Sequence, residues 1–276
     1  HLVFNCSGAD MGINFLEPFM LNSIDSIVWP LCRIGGFLMA FMTFSASTVP
    51  RMVRALLALA MTVCFLPNIP PIDTEIQSFS TLGIITTISQ VIIGAGIGFI
   101  TQYLAATFVL AGQAIAMQTG LGFASLVDPV SGTNAPVVGQ FFTVLATLVF
   151  FAVDGHLVFI RLLLLSFETL PIAPGIFTPP SLEAIIFFGA TMFQCALSTS
   201  IAAICALLVV NFTFGVMTRA APQLNVFSLG FAISMIVGIS VLLVSLNAFM
   251  ANFTIAINSI MSSSCTLIGT GCEGIF

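Results

Sequence analysis

Ionisable side chains that could do chemistry are few in this sequence, and most of them lie inside or beside long apolar segments. Inside a membrane helix, an ionised side chain costs about 2.5 to 3.5 kcal/mol on insertion scales. Each such group therefore needs a partner or a function, for example a place in a proton relay. The groups concerned are Arg33, Asp128, Asp154, His156, Arg161 and Arg219.

One segment carries an acid, a histidine and an arginine close together. Asp154 and Arg161 lie seven positions apart, on one helical face if the helix continues through Gly155, where they could neutralise each other. The alternative is a proton relay, which usually requires acids and histidines on several helices. Only this segment has both, with His156 as the histidine, so we prefer a polar kink with a structural role.

Motifs of known enzyme classes are absent from the sequence. There is no His-Glu-x-x-His, no Gly-x-Ser-x-Gly and no Walker loop, and the chain has only two histidines. Proteolysis by paired aspartates would need two buried Asp on facing helices, whereas Asp128 precedes Pro129 in a predicted loop. The seven cysteines lack the spacing of metal ligands, and most are interpreted as small buried hydrophobes. We predict a protein that is not an enzyme and needs no cofactor.

Composition identifies the class of protein. Hydrophobic residues make up 59 % of the chain and charged residues 5 %, with a mean hydropathy of +1.19, whereas about a quarter of a soluble domain is charged. The apolar residues form long blocks instead of the alternation of barrel strands, which predicts an all-α integral membrane protein. The chain has no lysine and a net charge of −5, which argues against nucleic acid as a partner.

Hydropathy divides the chain into six apolar segments, and several are longer than a bilayer requires. Residues 79–117 would form a helix of about 58 Å at about 1.5 Å per residue, roughly twice a bilayer core of about 30 Å. We expect a single membrane domain over residues 21–260, between an N-terminal tail at 1–20 and a C-terminal tail at 261–276. The six segments are at about 24–44, 50–67, 79–117, 136–169, 181–217 and 228–260.

The over-long segments have two interpretations. Each could be a hairpin of two half-spans, turned by Gly94–Gly98 in one case and by Asp154-Gly155 in another. Each could instead be a long helix that projects beyond the bilayer and packs on protein, in which case the glycines allow a neighbouring helix to approach closely. Length alone does not separate the two.

Charged residues between the segments predict an orientation. With six segments, Arg51, Arg54 and Arg219 fall on one side of the membrane, and the positive-inside rule places the first, third and fifth loops in the cytoplasm. Trp29 is expected to anchor the first segment at the membrane interface. A hairpin inside any segment would break this parity. The acids expected on the opposite side are Asp73, Glu75, Glu168 and Glu183.

Amide side chains inside the apolar segments also have two possible uses. They either form interhelical hydrogen bonds or line a water-filled path, and the first use is the commoner one. The residues are Gln90, Gln102, Gln113, Gln118, Gln140, Gln194, Asn211 and Asn247.

The stretch from Met117 to Val138 is the one long interruption that is neither a polar turn nor a hydrophobic helix. Its glycines and prolines end the helix, yet its apolar side chains are too many for a solvated loop. We predict a mobile closing loop, or plug, at about 117–138. Its candidate residues are Met117, Gly120, Leu121, Gly122, Phe123, Leu126, Val127, Asp128 and Pro129.

Five short motifs follow one another along the chain. They are Trp29-Pro30-x-x-Arg33, Val49-Pro50-x-x-Val53-Arg54, Met117-Gln118-Thr119-Gly120-Leu121-Gly122-Phe123-Ala124 with Val127-Asp128-Pro129, Asp154-Gly155-His156, and Thr218-Arg219-Ala220-Ala221-Pro222-Gln223-Leu224-Asn225-Val226-Phe227. In this order they resemble the family of the flagellar biosynthetic protein FliR and its relatives in virulence-type systems, the R or T subunits of type III export gates. The resemblance covers about residues 21–260. The motifs are closer to those of the flagellar members than to those of the virulence-type members.

The resemblance implies a fold and a set of partners. The fold would be a P-like N-terminal part followed by a Q-like helical hairpin at 181–260. The partners would be the P and Q subunits, the B subunit and the A-subunit export platform, in the bacterial inner membrane within the flagellar basal body. The substrates would be unfolded secreted proteins. The subunit would also contact membrane lipid. Taking the motifs together with the charged residues of the fourth segment, we expect six polar residues to have structural roles: Asp154, His156, Arg161, Arg219, Gln223 and Asn225.

Two functions remain as hypotheses. The first is a channel-forming export subunit whose glycine-rich apolar loop closes the pore by excluding water. The second is a solute or proton transporter that uses helices broken at Gly94–Gly98 and at Asp154-Gly155.

Overall fold

Helices account for nearly all of the residues that the computed structural model describes, which are 25–45, 49–70, 80–122, 137–172, 179–220 and 226–269. These ranges contain no strand, and the prediction of an all-α protein is confirmed. A short 3-10 turn, Leu66–Asn68, follows the second helix. The helices are α1 (Asp25–Ala40), α2 (Arg51–Phe65), α3 (Thr81–Gln118), α4 (Val137–Ala152), α5 (Gly155–Thr169), α6 (Pro179–Ala220) and α7 (Val226–Ile268).

The long segments are long helices, with one exception. The helices α3, α6 and α7 have 38, 42 and 43 residues, so each is longer than the roughly 20 residues that cross a bilayer. Within the described ranges, four helical stretches are long and apolar enough to span a membrane, and a fifth is added if α4 and α5 count as one broken span. The last helix continues to Ile268, beyond residue 260, where we had expected the membrane domain to end.

Helix α3 is the central element of the fold. It contacts α1, α4, α5, α6 and α7, and it begins at Ser80, whose Oγ accepts a hydrogen bond from the amide of Gly83 over 3.1 Å. Its hydroxyls bond back to the carbonyls of the preceding turn, as Thr86 does to Leu82. An apolar helix can therefore carry many Ser and Thr residues without leaving polar groups unsatisfied.

Glycines bring α1 and α3 into backbone contact. A Cβ on Gly94 would collide with the carbonyl of Arg33, and a Cβ on Gly98 would lie 2.5 Å from the carbonyl oxygen of Phe37. The contact is reciprocal, because a Cβ on Gly36 would lie 2.6 Å from the carbonyl oxygen of Val91. The glycines of α3 are a packing surface and not a turn, since α3 is continuous through them.

The fourth segment is the exception, because it bends by 67° between α4 and α5. Asp154 adopts the left-handed conformation with φ of 54°, and a Cβ on Gly155 would lie 2.5 Å from the ring of Phe150. The break lies before Gly155, which begins α5, and Asp154 stands directly in front of the helix that carries Arg161. Both side chains are exposed, and their mutual neutralisation stays a prediction.

Aromatic side chains fill the core on two sides of α3. One group joins Phe41 to Phe37, Phe150 and Phe159 with ring centroids 5.0 to 6.2 Å apart. In the other group Phe249 lies 4.5 Å from Phe108 and 5.6 Å from Phe142. Trp29 is only 1 % exposed and belongs to the core. The prediction that Trp29 anchors the chain at the membrane interface was therefore wrong.

Candidate functional site

The end of α3 begins the central stretch, and its backbone turns where the sequence predicted. Thr119 donates its amide to the carbonyl of Ile115, and Gly120 follows with φ of 78°. A left-handed residue after the last helical turn is a common way to end a helix, and glycine adopts it without the strain of a Cβ. The structure describes this part of the chain as far as Gly122 and again from residue 137. The predicted plug residues between these limits, Phe123, Leu126, Val127, Asp128 and Pro129, therefore lie outside the described residues.

Both helices of the C-terminal hairpin hold this end of α3. The Asn211 side chain on α6 donates from Nδ2 to the carbonyl of Gln118 over 3.1 Å. Ser234 on α7 donates from Oγ to the carbonyl of Thr119 over 3.5 Å. Gly238, one turn further along α7, lies so close that a Cβ there would collide with the Thr119 side chain. We call these contacts the α3 clamp: Gln118 and Thr119 held by Asn211, Ser234 and Gly238.

The described plug residues beyond the clamp differ in their surroundings. Met117 is 72 % exposed, whereas Leu121 packs against the hydrophobic core. A Cβ on Gly122 would lie 3.3 Å from the Cα of Met117, so the chain folds back over the last turn of α3. The start of the central stretch is thus tied to the protein, and Met117 projects away from it.

A buried arginine forms a second polar centre, which the sequence analysis noted without assigning a role. Arg33 is fully buried and donates from Nε to Oε1 of Gln90 over 2.7 Å. Its Nη1 bonds the Ser166 carbonyl over 2.6 Å and the Ser166 hydroxyl over 3.3 Å, and its Nη2 bonds the Leu170 carbonyl over 2.7 Å. The guanidinium carbon also lies 4.3 Å from the centre of the Phe167 ring.

All four of these acceptors are uncharged, and two of them are carbonyls at the C-terminal end of α5. The carbonyls at a helix C-terminus carry a partial negative charge, so they compensate a cation without a carboxylate. The Ser166 carbonyl accepts the Leu170 amide as well as Arg33, which its two lone pairs allow. Arg33 thereby joins α1 to α3 through Gln90 and to α5 through its last turn. The sequence signal was an arginine in one apolar segment and a glutamine in another, but nothing in their spacing showed that they meet.

Other amides confirm the interhelical interpretation at particular positions. Gln102 donates to the carbonyl of Ala40 over 2.8 Å and to the hydroxyl of Ser45 over 3.1 Å. Beside it lies an open groove of about 470 Å³, lined by the ends of α1 and α3 and including Gln113. Gln102 therefore fastens the end of α1 to α3, and both Gln102 and Gln113 line the groove.

The remaining candidates form no contact of the clamp among the described residues. Asp154 and His156 are at the bend between α4 and α5, where the His156 ring packs 5.0 Å from Phe151 and its Nδ1 has no hydrogen-bond partner among the described residues. Arg219 is exposed in the last turn of α6. The other two candidates, Gln223 and Asn225, lie outside the described residues. The described ranges bring no three His, Cys, Asp or Glu side chains together in a way that could hold a metal ion.

The fold and the site define a class of protein: a polytopic helical membrane protein in which two long helices hold the end of a third. The chain belongs to the family described as bacterial export proteins, family 1, whose sequence profile matches residues 24–260. This confirms the resemblance found in the sequence motifs.

Individual relatives agree with the family assignment. The chain is 34 % identical to the flagellar biosynthetic protein FliR of Escherichia coli (strain K12), over 80 % of this chain and 84 % of that protein. It is 35 % identical to the protein of the same name from Pectobacterium carotovorum subsp. carotovorum, over 81 % and 85 % of the two chains. A more distant FliR, from Aquifex aeolicus (strain VF5), is 28 % identical over 78 % of this chain and 82 % of its own length.

Proposed function

We propose that this chain is a channel-forming subunit of the flagellar type III protein export gate in the bacterial inner membrane. In this role it assembles with the P and Q subunits of the gate, with the B subunit and with the A-subunit export platform. Unfolded flagellar proteins pass through the assembly. The family assignment and the FliR relatives support the export role, and the apolar long helices support the membrane location.

The observation that carries the pore role is the α3 clamp. A closing loop needs one fixed end, because it must return to the same place after each opening. It also needs a neighbouring segment without strong polar bonds, because such bonds would have to break each time the loop moves. Gln118 and Thr119 are fixed by α6 and α7, and Gly120 directly after them takes a conformation that suits glycine. An apolar loop with such an anchor can seal a pore by excluding water and can move aside without breaking charged contacts.

The test shortens the loop and leaves the clamp intact. Removing residues 123–134 should leave the gate assembled but permeable to small ions, which can be measured as sodium or potassium flux across cell membranes or vesicles. The matched control removes residues from the N-terminal tail at 1–20. A shortened protein that assembles with its partners and remains tight to ions would contradict the plug.

The alternative of a solute or proton transporter is favoured by one observation, the bend of 67° between α4 and α5. Transporters of this kind usually place broken helices in corresponding positions of two repeats. The second break expected for this alternative, at Gly94–Gly98, lies in a continuous helix. Co-purification in mild detergent separates the two: the export subunit should recover other membrane subunits, whereas a transporter should be isolated alone or as copies of itself.

A further inference from the structure

The single tryptophan of the chain, Trp29, has a buried indole N–H that donates to no acceptor among the residues that the structure describes. The side chain is 1 % exposed. An indole nitrogen donates and never accepts, and a buried tryptophan usually has a hydrogen-bond partner. Trp29 therefore presents a donor that requires an acceptor within the core.

Arg33 presents a second unused donor. A guanidinium carries five N–H groups, and Arg33 makes four bonds: to the Gln90 side chain, to the carbonyl and the hydroxyl of Ser166, and to the Leu170 carbonyl. Nη2 makes one of these bonds, so its second N–H has no acceptor in the described part of the chain. Since Arg33 is fully buried, bulk water does not supply one.

Helix geometry places the two donors on one side of α1. Trp29 and Arg33 are four positions apart, which puts them on the same helical face one turn apart. Long side chains of a helix extend back toward its N-terminus, over the preceding turn. The Arg33 guanidinium therefore extends toward the turn that carries Trp29, which gives the spacing of the Trp29-Pro30-x-x-Arg33 motif a physical meaning.

Thr169 supplies a third polar group from the facing helix. It lies on the face of α5 that carries Ser166, three positions away, and it directly precedes Leu170. Arg33 bonds both of these neighbours. The Thr169 hydroxyl oxygen is buried and has no partner within the described ranges. Two donors and one hydroxyl, which both donates and accepts, are thus brought to the boundary of α1 and α5.

We propose that a small hydrogen-bond acceptor binds between α1 and the end of α5, held by Nε1 of Trp29, the second N–H of Arg33 Nη2 and the hydroxyl of Thr169. A water molecule and a monovalent anion such as chloride share this chemistry. A buried water typically forms about three hydrogen bonds, and an anion would also offset the buried charge of Arg33. A metal cation does not suit the site, because two of the three groups only donate. The inference is independent of the export function.

The single indole makes the test specific, because isotope-labelled tryptophan gives one indole N–H signal in the magnetic resonance spectrum of the full-length protein in detergent. A water should add a cross-relaxation peak between the indole proton and the water resonance. An anion should instead move the indole signal when chloride is exchanged for bromide at constant ionic strength. A signal with neither response overturns the proposal, because Trp29 then has no acceptor or bonds a group of the protein itself.

Thr169→Val guards the water result against an artefact. A threonine hydroxyl proton exchanges with water and can relay a water peak to the indole. The variant keeps the branched shape of the side chain but has no hydroxyl. The water peak should persist, because Trp29 and Arg33 still hold the molecule. A peak that vanishes in this variant belongs to the hydroxyl and overturns water as the bound acceptor.

Coupling between substitutions tests whether the groups share one acceptor. Trp29→Phe keeps a buried aromatic ring and removes the N–H. Combined with Thr169→Val, it should lower the melting temperature by less than the sum of the two single falls, because both groups bind the same molecule. The matched control pair is Trp29→Phe with Thr107→Val, a buried hydroxyl further along α3 than the contact of Gly94 with Arg33, and its falls should add. Additive falls in both pairs overturn the shared acceptor.

Melting temperatures in chloride and in gluconate, at equal ionic strength, distinguish the two sources of the acceptor. With a bound anion, the parent protein should melt higher in chloride, and Trp29→Phe should show a smaller difference between the salts. With a bound water, the two salts should give equal melting. A chloride effect as large in Trp29→Phe as in the parent would place the anion elsewhere and overturn an anion at this site.

Discussion

At the residue scale, the main finding is a fully buried cation held without a carboxylate. A buried charge is tolerated only when hydrogen bonds compensate its lost hydration, and Arg33 has such bonds to Gln90, Ser166 and Leu170. Arginine suits this position because its planar group offers several donors in fixed directions. Arg33 is therefore best described as a joint between three helices.

Replacing Arg33 should test that joint. Arg33→Ala leaves buried acceptors on α3 and at the end of α5 without this donor, at about 1 to 3 kcal/mol each, and we expect a large fall in thermal stability. Arg33→Lys keeps the charge but loses the fork of donors and should be intermediate. Stability can be followed in detergent as the temperature at which the monodisperse protein disappears on size exclusion.

Ser166→Ala is the matched control for Arg33. The short bond from Arg33 goes to the Ser166 carbonyl, which the substitution keeps. The substitution removes the 3.3 Å contact from Arg33 to the hydroxyl and the 2.6 Å bond from that hydroxyl to the Leu163 carbonyl within α5. The control should melt closer to the parent protein than Arg33→Ala does. Equal melting of Arg33→Ala and the parent would show that the joint contributes little.

Gly120 carries a second residue-scale prediction. A side chain in the left-handed region costs about 1 to 2 kcal/mol, but Asn tolerates it better than most residues. Gly120→Val should therefore reduce flagellar export and swimming, whereas Gly120→Asn should retain most of both. Equal export by the two variants, at equal protein levels, would mean that the turn at Gly120 has no bearing on function.

At the element scale, the contact between α1 and α3 depends on glycine. A Cβ on Gly94 meets the backbone of Arg33, which cannot rotate away, so Gly94→Ala should push the helices apart and destabilise by about 1 to 3 kcal/mol. Gly35→Ala is the matched control, because a Cβ there meets nothing within 4 Å. Alanine is the better helix former by about 1 kcal/mol, so the control should be neutral or stabilising.

Melting temperatures of the two alanine variants test whether the contact between α1 and α3 depends on the missing side chain at Gly94. The same chemical change is made on two helices of one contact pair, and only the space around the new methyl group differs. A Gly94→Ala protein that melts with or above Gly35→Ala would contradict the close contact of α1 and α3.

The same elements show how far the sequence could predict the fold. Apolar blocks placed the outer ends of the helical segments to within about four residues, except that α7 continues eight residues beyond its block. They did not separate a long helix from a hairpin of half-spans, because both consist of apolar residues. The glycines of α3 recur at spacings of two and four, and Gly94 and Gly98 therefore share a helical face that suits packing. Unlike Gly94 and Gly98, Asp154-Gly155 lies at a helix break, because Asp tolerates the left-handed conformation that the break needs.

The site was less predictable for a physical reason. The bond from Arg33 to Gln90 joins residues 57 positions apart, and the bond to Ser166 joins residues 133 apart, so no local pattern encodes them. At Trp29 a local pattern was present but misleading. A Trp ring often marks a membrane interface, whereas here it is buried in the protein core. The end of α3 was predictable, since Gly120 acts through its own backbone conformation.

At the scale of the whole molecule, the long helices leave apolar faces that the chain itself does not cover. Helices α6 and α7 are about 63 and 65 Å long at about 1.5 Å per residue, roughly twice a bilayer core of about 30 Å. Their exposed side chains include Leu197, Leu208 and Phe212 on α6 and Ile236 and Leu243 on α7. Lipid can cover only part of such a length, so the rest is available for contact with other proteins, in agreement with the proposed place in a larger gate.

The α3 clamp connects this hairpin to the central stretch and provides the last prediction. Gly238→Leu places a side chain where Thr119 already lies, so it should displace the end of α3 from α7. Because the contact is local, the protein should still assemble with its partners. The seal should fail, and ion flux through membranes that carry the gate should rise above that of the parent.

Gly215→Ala on α6 is the control for the clamp, since a Cβ there meets nothing within 4 Å. It should leave both assembly and ion flux unchanged. Asn211→Ala removes one hydrogen bond to Gln118 and should give a smaller leak than Gly238→Leu, because a lost bond perturbs the end of α3 less than a steric clash does. If Gly238→Leu assembles fully and stays as tight to ions as Gly215→Ala, the position of α3 does not control the pore, and the seal must reside in the partner subunits.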